Sequence, residues 1–186
     1  MNAINVKFKR LHPDAKIPQY ATEMSAGFDL VAVSDVIIAP GETVKVPLGF
    51  AVQIPAGYEI QIRPRSGVTF KTKLRVANSP GTADADYRGE VAVLIDNIAH
   101  REISDIDMNE REVVYGKSSI LDTVDGEYYH GNWIDYPWKT YLIRKGDRIA
   151  QGVLAAVSRA SFEEVAELDD TERGDGGFGH SGVTSE

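Results

Sequence analysis

Short alternations of apolar and polar residues, each cut off by glycine or proline, run along most of the chain. Tyr58 to Arg63 sets Tyr58, Ile60 and Ile62 against Glu59, Gln61 and Arg63, the two-residue period of a strand with one buried face. Asp35–Ile38 and Thr43–Val46 flank Pro40-Gly41, a turn signal between β-branched runs. Phe50–Ile54 leads into Pro55-Ala56-Gly57. Glu90–Asp96, Thr140–Arg144 and the largely apolar Arg148–Val157 read as further strands. Short strands with turns every eight to twelve residues or so predict a mainly β sandwich, jelly roll or barrel. Helix signals are few. Asp14-Ala15-Lys16 is stopped by Pro18, and Ser104–Asp107 predicts a brief capped helix reaching Val113.

Two regions depart from this rhythm. Ala99–Pro137 holds nine Asp/Glu against three Lys/Arg, four of the eight tyrosines, and Trp133. Within it, Asp125-Gly126 lies between Leu121–Val124 and Glu127–Tyr129 and predicts a hairpin. Thr171–Glu186 carries five glycines and little to anchor it.

Composition narrows the picture. The 186 residues fit one ordinary domain, with 42% hydrophobic and 26% charged residues. No cysteine is present, which excludes disulfides and thiolate metal sites. The net charge of −8 argues against general nucleic-acid affinity, so any anion must be held by local groups. Met1–Lys9 has no apolar signal core and no stretch approaches a membrane span, so a cytoplasmic protein is expected.

The candidate chemistry lies in five short blocks. Ala26-Gly27-Phe28-Asp29-Leu30 comes first, then Pro64-Arg65-Ser66-Gly67. The second offers a guanidinium, a hydroxyl and an unhindered backbone N–H suited to phosphate oxygens, or else a strand end with a surface Arg. Gly81-Thr82-Ala83-Asp84-Ala85-Asp86-Tyr87-Arg88-Gly89-Glu90 is the third, and Asn78–Tyr87 reads as a hairpin tip with Pro80-Gly81 at the bend. Asn78 has the donors and acceptors to read a pyrimidine edge. One of Asp84 and Asp86 can act as a general base, or both are solvated turn residues. Gly146-Asp147-Arg148-Ile149-Ala150-Gln151 is the fourth, with Asp147 and Arg148 open to pairing on a strand. In the fifth, Arg173-Gly174-Asp175-Gly176-Gly177-Phe178-Gly179-His180-Ser181-Gly182, glycine-rich backbone can wrap an anion, Arg173 and Ser181 supply donors, and Phe178 can stack on a base.

Taken in order, these blocks resemble the five motifs of the trimeric dUTPase family. The resemblance implies a distorted jelly-roll or β-clip barrel that assembles as a homotrimer, each site borrowing motifs from neighbouring subunits. It implies hydrolysis of dUTP to dUMP and pyrophosphate, with Asp84 priming water for attack on the α-phosphorus. Arg65, Ser66, Gly67, Asn78, Thr82, Ala83, Tyr87, Gln151, Arg173, Phe178, Gly179 and Ser181 correspond to substrate-binding positions, Tyr87 packing under the deoxyribose and Gln151 touching the phosphate next to the sugar. Asp29, Asp147 and Arg148 correspond to positions that organise the site. Mg²⁺ is implied as a cofactor held by substrate phosphates and waters rather than by direct protein ligands. Ala83 stands where the family has Ile or Val, and His180-Ser181 replaces Ser-Thr.

By the same resemblance, residues 1–98 and 138–170 form the β core, 99–137 an inserted acidic and aromatic subdomain, and 171–186 an arm that closes over the site. The segment from Tyr87 to Gly146 spans 59 positions, and such insertions resemble those of staphylococcal-phage dUTPases. That likeness implies a transcriptional repressor of pathogenicity islands as a partner for 99–137, in a host-cell cytoplasm. Aromatics amid acids suit a basic partner, and equally suit a solvated subdomain packed on itself. The rival readings are a dCTP deaminase, whose Arg-Ser-Ser-x-Ala-Arg block is missing here, and a non-catalytic regulatory module.

Overall fold

The computed structural model describes residues 3–101, 103–107, 112–115, 117–118, 120–130 and 134–177. In chain order the first half forms β1 (Lys7–Arg10), β2 (Phe28–Val31), β3 (Val36–Ile38), β4 (Thr43–Gln53), β5 (Tyr58–Pro64), α1 (Ser66–Lys71), β6 (Leu74–Val76), β7 (Gly81–Ala83) and β8 (Val91–Asn97). The insertion contributes β9 (Ile103–Asp107), β10 (Glu112–Tyr115), β11 (Lys117–Ser118), β12 (Ile120–Thr123), β13 (Tyr128–His130) and β14 (Tyr136–Pro137). The chain returns to the core with β15 (Tyr141–Ile143) and β16 (Arg148–Ala156).

Among the described residues, three four-stranded sheets carry the architecture, in the orders β1-β4-β8-β6, β2-β16-β5-β7 and β13-β12-β15-β3. Their inner faces meet in one core that includes Leu30, Val46, Leu48, Ile60, Ile62, Val93, Ile95, Ile143 and Ile149. The alternation is literal in β8, where Val91, Val93 and Ile95 are buried and Leu94 is exposed. Each such aliphatic side chain, fully buried, contributes about 1.5–3 kcal/mol. The mainly β fold anticipated from the sequence is the fold observed.

One polar residue ties the layers together. Asn97 is buried to 1% exposure and its amide donates to the carbonyls of Ile38 (3.0 Å) and Lys139 (2.8 Å), while its oxygen accepts from the Ala99 N–H at 3.1 Å. All its polar atoms are engaged, as burial requires.

Several sequence expectations need correction. Thr43–Val46 and Phe50–Ile54 are not two strands: Thr43–Gln53 is the single strand β4, with Ile54 just beyond its end, and it carries an irregularity between Pro47 and Phe50. Gly49 sits in it at φ 70°, and a Cβ there would lie 2.7 Å from that of His12 and 2.9 Å from Val33 Cγ1. Only glycine fits that conformation and space. Where a helix from Ser104 to Val113 was expected, the described residues Ile103–Asp107 and Glu112–Tyr115 form an antiparallel strand pair, β9 with β10; their β-branched residues lower helix propensity, and backbone pairing decides the matter. Asp14-Ala15-Lys16 is not helical; Pro13-Asp14 forms a turn closed by the Ala15 N–H on the His12 carbonyl at 3.0 Å. Residues 78–87 are no hairpin tip, since β6 pairs with β8 and β7 with β5, in different sheets. The hairpin at Asp125-Gly126 forms as expected, β12 pairing with β13 and, on its other edge, in parallel with β15. The insertion thus shares a sheet with the core.

Candidate active site

Two groups of the anticipated residues come together, in different places. The first is built on the sheet β2-β16-β5. Antiparallel register sets Gln151 opposite Asp29 on one side and Arg63 on the other, while Arg65 and Ser66 follow at the end of β5. Asp29 then binds two guanidiniums: its Oδ1 lies 3.1 Å from Arg65 Nε and its Oδ2 accepts from Arg148 Nη1 at 3.2 Å. Arg65 Nη1 also donates to the Arg148 carbonyl at 3.0 Å. Gln151 Nε2 donates to the Pro64 carbonyl at 2.9 Å, and the backbone of Gly27 packs so close that a Cβ would lie 2.6 Å from Gln151 Oε1. Ser66 and Gln151 face an open groove of about 900 Å³ that Arg63, Thr69 and Phe70 also line. Two cations against one carboxylate leave this group positive within a chain of net negative charge, and its cross-bracing fixes the forks in place before any ligand arrives.

The second group surrounds a cavity of about 250 Å³ lined by Asn78, Thr82, Ala83, Asp84 and Tyr87. The Asn78 amide lies against Gly81, where an added Cβ would be 3.2–3.3 Å from its nitrogen and oxygen. The Asp84 carbonyl accepts from the Tyr87 N–H at 3.2 Å, so these residues form a tight turn with the Asp84 side chain exposed. Tyr87 is half exposed, its ring lies over Gly89, and its hydroxyl donates to the Glu90 carbonyl at 3.1 Å. Asp86 lies outside this cavity; with Asp84 it lines a separate one beside Glu59 and Arg159. The two readings of Asp84, turn residue and general base, are therefore compatible in geometry: the turn is what presents it.

Sequence reasoning missed two residues here. Glu90 was quoted in the third block but given no role; its carboxylate accepts from the Gly49 N–H at 2.8 Å and so anchors the end of that block on β4. Lys45, on β4 opposite Leu94, lines the same cavity. No local motif flags either, because both act across strands distant in sequence.

The remaining expected residues lie elsewhere. Asp147 caps a turn, its Oδ2 accepting from the Arg144 N–H at 2.8 Å, and burial pushes its pKa up despite that bond and the Arg144 guanidinium. Gly67 has open space where a side chain would go. Arg173 donates from Nε to the Gly176 carbonyl at 2.7 Å within its own exposed turn and touches neither group. Phe178, Gly179 and Ser181 lie outside the described residues. Among the described residues, Gln151 and Asp29 line cavities different from the one lined by Asn78, Asp84 and Tyr87.

A family model described as dUTPase matches residues 13–111 and 137–182, most of the chain. The chain belongs to the dUTPase family. The break in that match falls within the insertion, and both residue groups lie inside the matched portions. A deoxyuridine 5'-triphosphate nucleotidohydrolase of Nautilia profundicola is 42% identical over 179 residues, covering 96% of this chain and 99% of that protein. The dUTPase of Staphylococcus bacteriophage 80alpha, solved with dUPNHPP in work on phage dUTPases controlling transfer of virulence genes by a proto-oncogenic G protein-like mechanism, superposes with a TM-score of 0.82 at 30% identity, covering 96% of this chain and 99% of its own. The dUTPase of phage phi11 of S. aureus, solved as a mutant that reveals the coordination of a structural Mg(II) ion, gives 0.74 at 26% identity, over 88% and 98%. Because the Nautilia protein aligns over nearly all of both chains, a dUTPase of this length is not confined to phages.

Proposed function

We propose that this dUTPase-family chain hydrolyses dUTP to dUMP and pyrophosphate. The observation that carries the reading is the division of labour in the site: a positive, cross-braced group on β2-β16-β5 suits phosphates, and a small pocket with an amide, a tyrosine ring and one exposed carboxylate suits a deoxyuridine. Asn78 reads the uracil edge, Tyr87 lies under the sugar, and Ser66, Gln151 and Arg65 address the phosphates. Asp84 takes the proton of a water that attacks the α-phosphorus, and Asp29 holds Arg65 and Arg148 in position. Asp147 supports the turn that leads into Arg148. Arg173, with Phe178, Gly179 and Ser181 of the arm, closes over the substrate and excludes water.

The donor set fits a magnesium–triphosphate substrate. Two guanidiniums against Asp29 leave a triphosphate, whose terminal group titrates near about pH 6, with much of its negative charge unmatched. A magnesium ion bound mainly through phosphate oxygens and water supplies that missing charge.

The same division supports homotrimeric assembly as part of this reading. The two groups occupy separate cavities of one chain, and beyond β16 the chain runs extended with Phe162 at 95% and Leu168 at 87% exposure, apolar surface that association would cover. We read 1–98 and 138–170 as the core, 99–137 as an insertion, and 171–186 as the arm, in a cytoplasmic enzyme.

The test is pyrophosphate release from dUTP, dTTP, dCTP and UTP, with and without Mg²⁺. Strong preference for dUTP with magnesium supports the reading, and equal hydrolysis of all four overturns it. Ammonia release from dCTP would favour a deaminase instead. A second role, engagement of a transcriptional repressor through 99–137, is favoured by the exposure of Tyr128 (71%) and Ile134 (56%) on the insertion. Replacing both with Ala should abolish repressor release while sparing turnover; unchanged release removes that role.

A further inference from the structure

The insertion's turn lies at a junction between both halves of the phosphate-binding group. Thr123 is buried to 1%, and its hydroxyl donates to Asp125 Oδ1 and, at 2.9 Å, to the Glu127 carbonyl. The Thr123 N–H donates to that same carbonyl at 2.9 Å and the Gly126 N–H to the Thr123 carbonyl at 3.0 Å. Gly126 adopts φ 83°, the left-handed conformation this turn needs. The turn is closed by its own hydrogen bonds.

From it run two braces. Lys71, the last residue of α1, donates from Nζ to the Asp125 carbonyl at 3.0 Å, and its stem lies over Gly126, the nearest carbon 3.6 Å from where a Cβ would be. The other end of α1 begins with Ser66 and Gly67. Arg144 makes the second brace: Nη2 lies 2.7 Å from Asp125 Oδ2 and 3.7 Å from Asp147 Oδ1. Asp147 holds the turn that delivers Arg148 to Asp29. One surface turn, contributed by a segment outside the family match, thus grips both the helix that follows Arg65 and the turn that precedes Arg148.

We propose that the Thr123–Glu127 turn sets the position of the phosphate-binding residues, with Lys71 and Arg144 as positioning residues. This rests on the proposed dUTP reading, because it assigns the braced residues to phosphates. Neither Lys71 nor Arg144 lines the Asn78–Tyr87 cavity, so the effect falls on the triphosphate and spares the nucleoside.

The experiment measures binding of a non-hydrolysable dUTP analogue with Mg²⁺, and competition by deoxyuridine, for the full chain and for Lys71→Met, Arg144→Met, Asp125→Ala and Lys71→Arg. Melting temperature and oligomeric state are followed in parallel. Lys71→Met and Arg144→Met should each weaken the analogue by about three- to ten-fold with deoxyuridine changed less than about two-fold. Lys71→Arg, which keeps a donor, should restore binding to within about two-fold. If Arg144→Met does not fold, Asp125→Ala, which cuts that brace from the other side, supplies the same comparison; if Lys71→Met does not fold, Lys71→Gln, too short to keep the bond to the Asp125 carbonyl, supplies it for Lys71. Unchanged analogue affinity in folded variants overturns the proposal, as does an equal loss for analogue and deoxyuridine. Failure of the unmodified chain to bind the analogue at all would instead overturn the dUTP reading on which it stands.

Discussion

The two halves of the candidate site are built in opposite ways. Around Asp29 the side chains brace one another, with Arg65 and Arg148 converging on one carboxylate and Gln151 held by Pro64. Around Asp84 the carboxylate stands exposed on a turn, and the Tyr87 hydroxyl donates to the carbonyl of Glu90. On the proposed reading, the first arrangement pre-positions cations before an anion arrives, and the second leaves Asp84 free to act as the base. A site can therefore invest rigidity where it binds and leave reactivity where it reacts.

That contrast is open to attack. The largest effect belongs to Asp84→Asn, which keeps the side chain's shape but removes the base: kcat for dUTP should fall by about 10²–10⁴-fold with KM and melting temperature nearly unchanged. An equal loss in KM would mean that the exposed half binds rather than reacts. Next comes Asp29→Ala. It leaves two guanidiniums facing each other without their shared partner, so kcat/KM should fall by about 10²-fold through misplacement. A melting temperature lowered along with it would sharpen the distinction, because Asp29 is braced into the fold whereas the Asp84 carboxylate stands exposed.

The smallest effect concerns acid stability. The Thr123 hydroxyl, aided by Arg144, holds the Asp125 pKa down to about 2 from an ordinary 3.8. A carboxylate lowered in the folded state favours folding above about pH 4, and that contribution disappears as pH falls from there toward 2. Its side chain is 47% exposed, so after solvent screening the contribution is under about 1 kcal/mol. Comparing urea midpoints of the unmodified chain and Asp125→Asn at pH 6 and pH 3 checks it; the gap should narrow at the lower pH.

Much of this was legible in the chain itself, for identifiable reasons. The β5 and β8 strands were readable because their alternation is driven by burial on one face. β4 was split in two because Pro47 and Gly49 look like punctuation, whereas here they sit at an irregularity within one strand. The helix α1 went unseen because Gly67, Val68 and Thr69 are poor helix formers and only its surroundings hold it. The family was readable from the order of the motifs, and the candidate site residues were assigned from the same order. Their mutual arrangement was not, since Asp29 and Arg148 meet across 119 positions and no local pattern encodes such a pairing. The same holds for Lys71 and Asp125.

Gly49 shows how far a reacting centre's demands extend. Its N–H is held by Glu90, its carbonyl accepts from Leu11 and His12, and its surroundings exclude even a methyl group. A position that meets no ligand is thereby as closed to replacement as one that does, and among relatives its invariance would register the architecture behind the nucleoside pocket rather than any chemistry of its own.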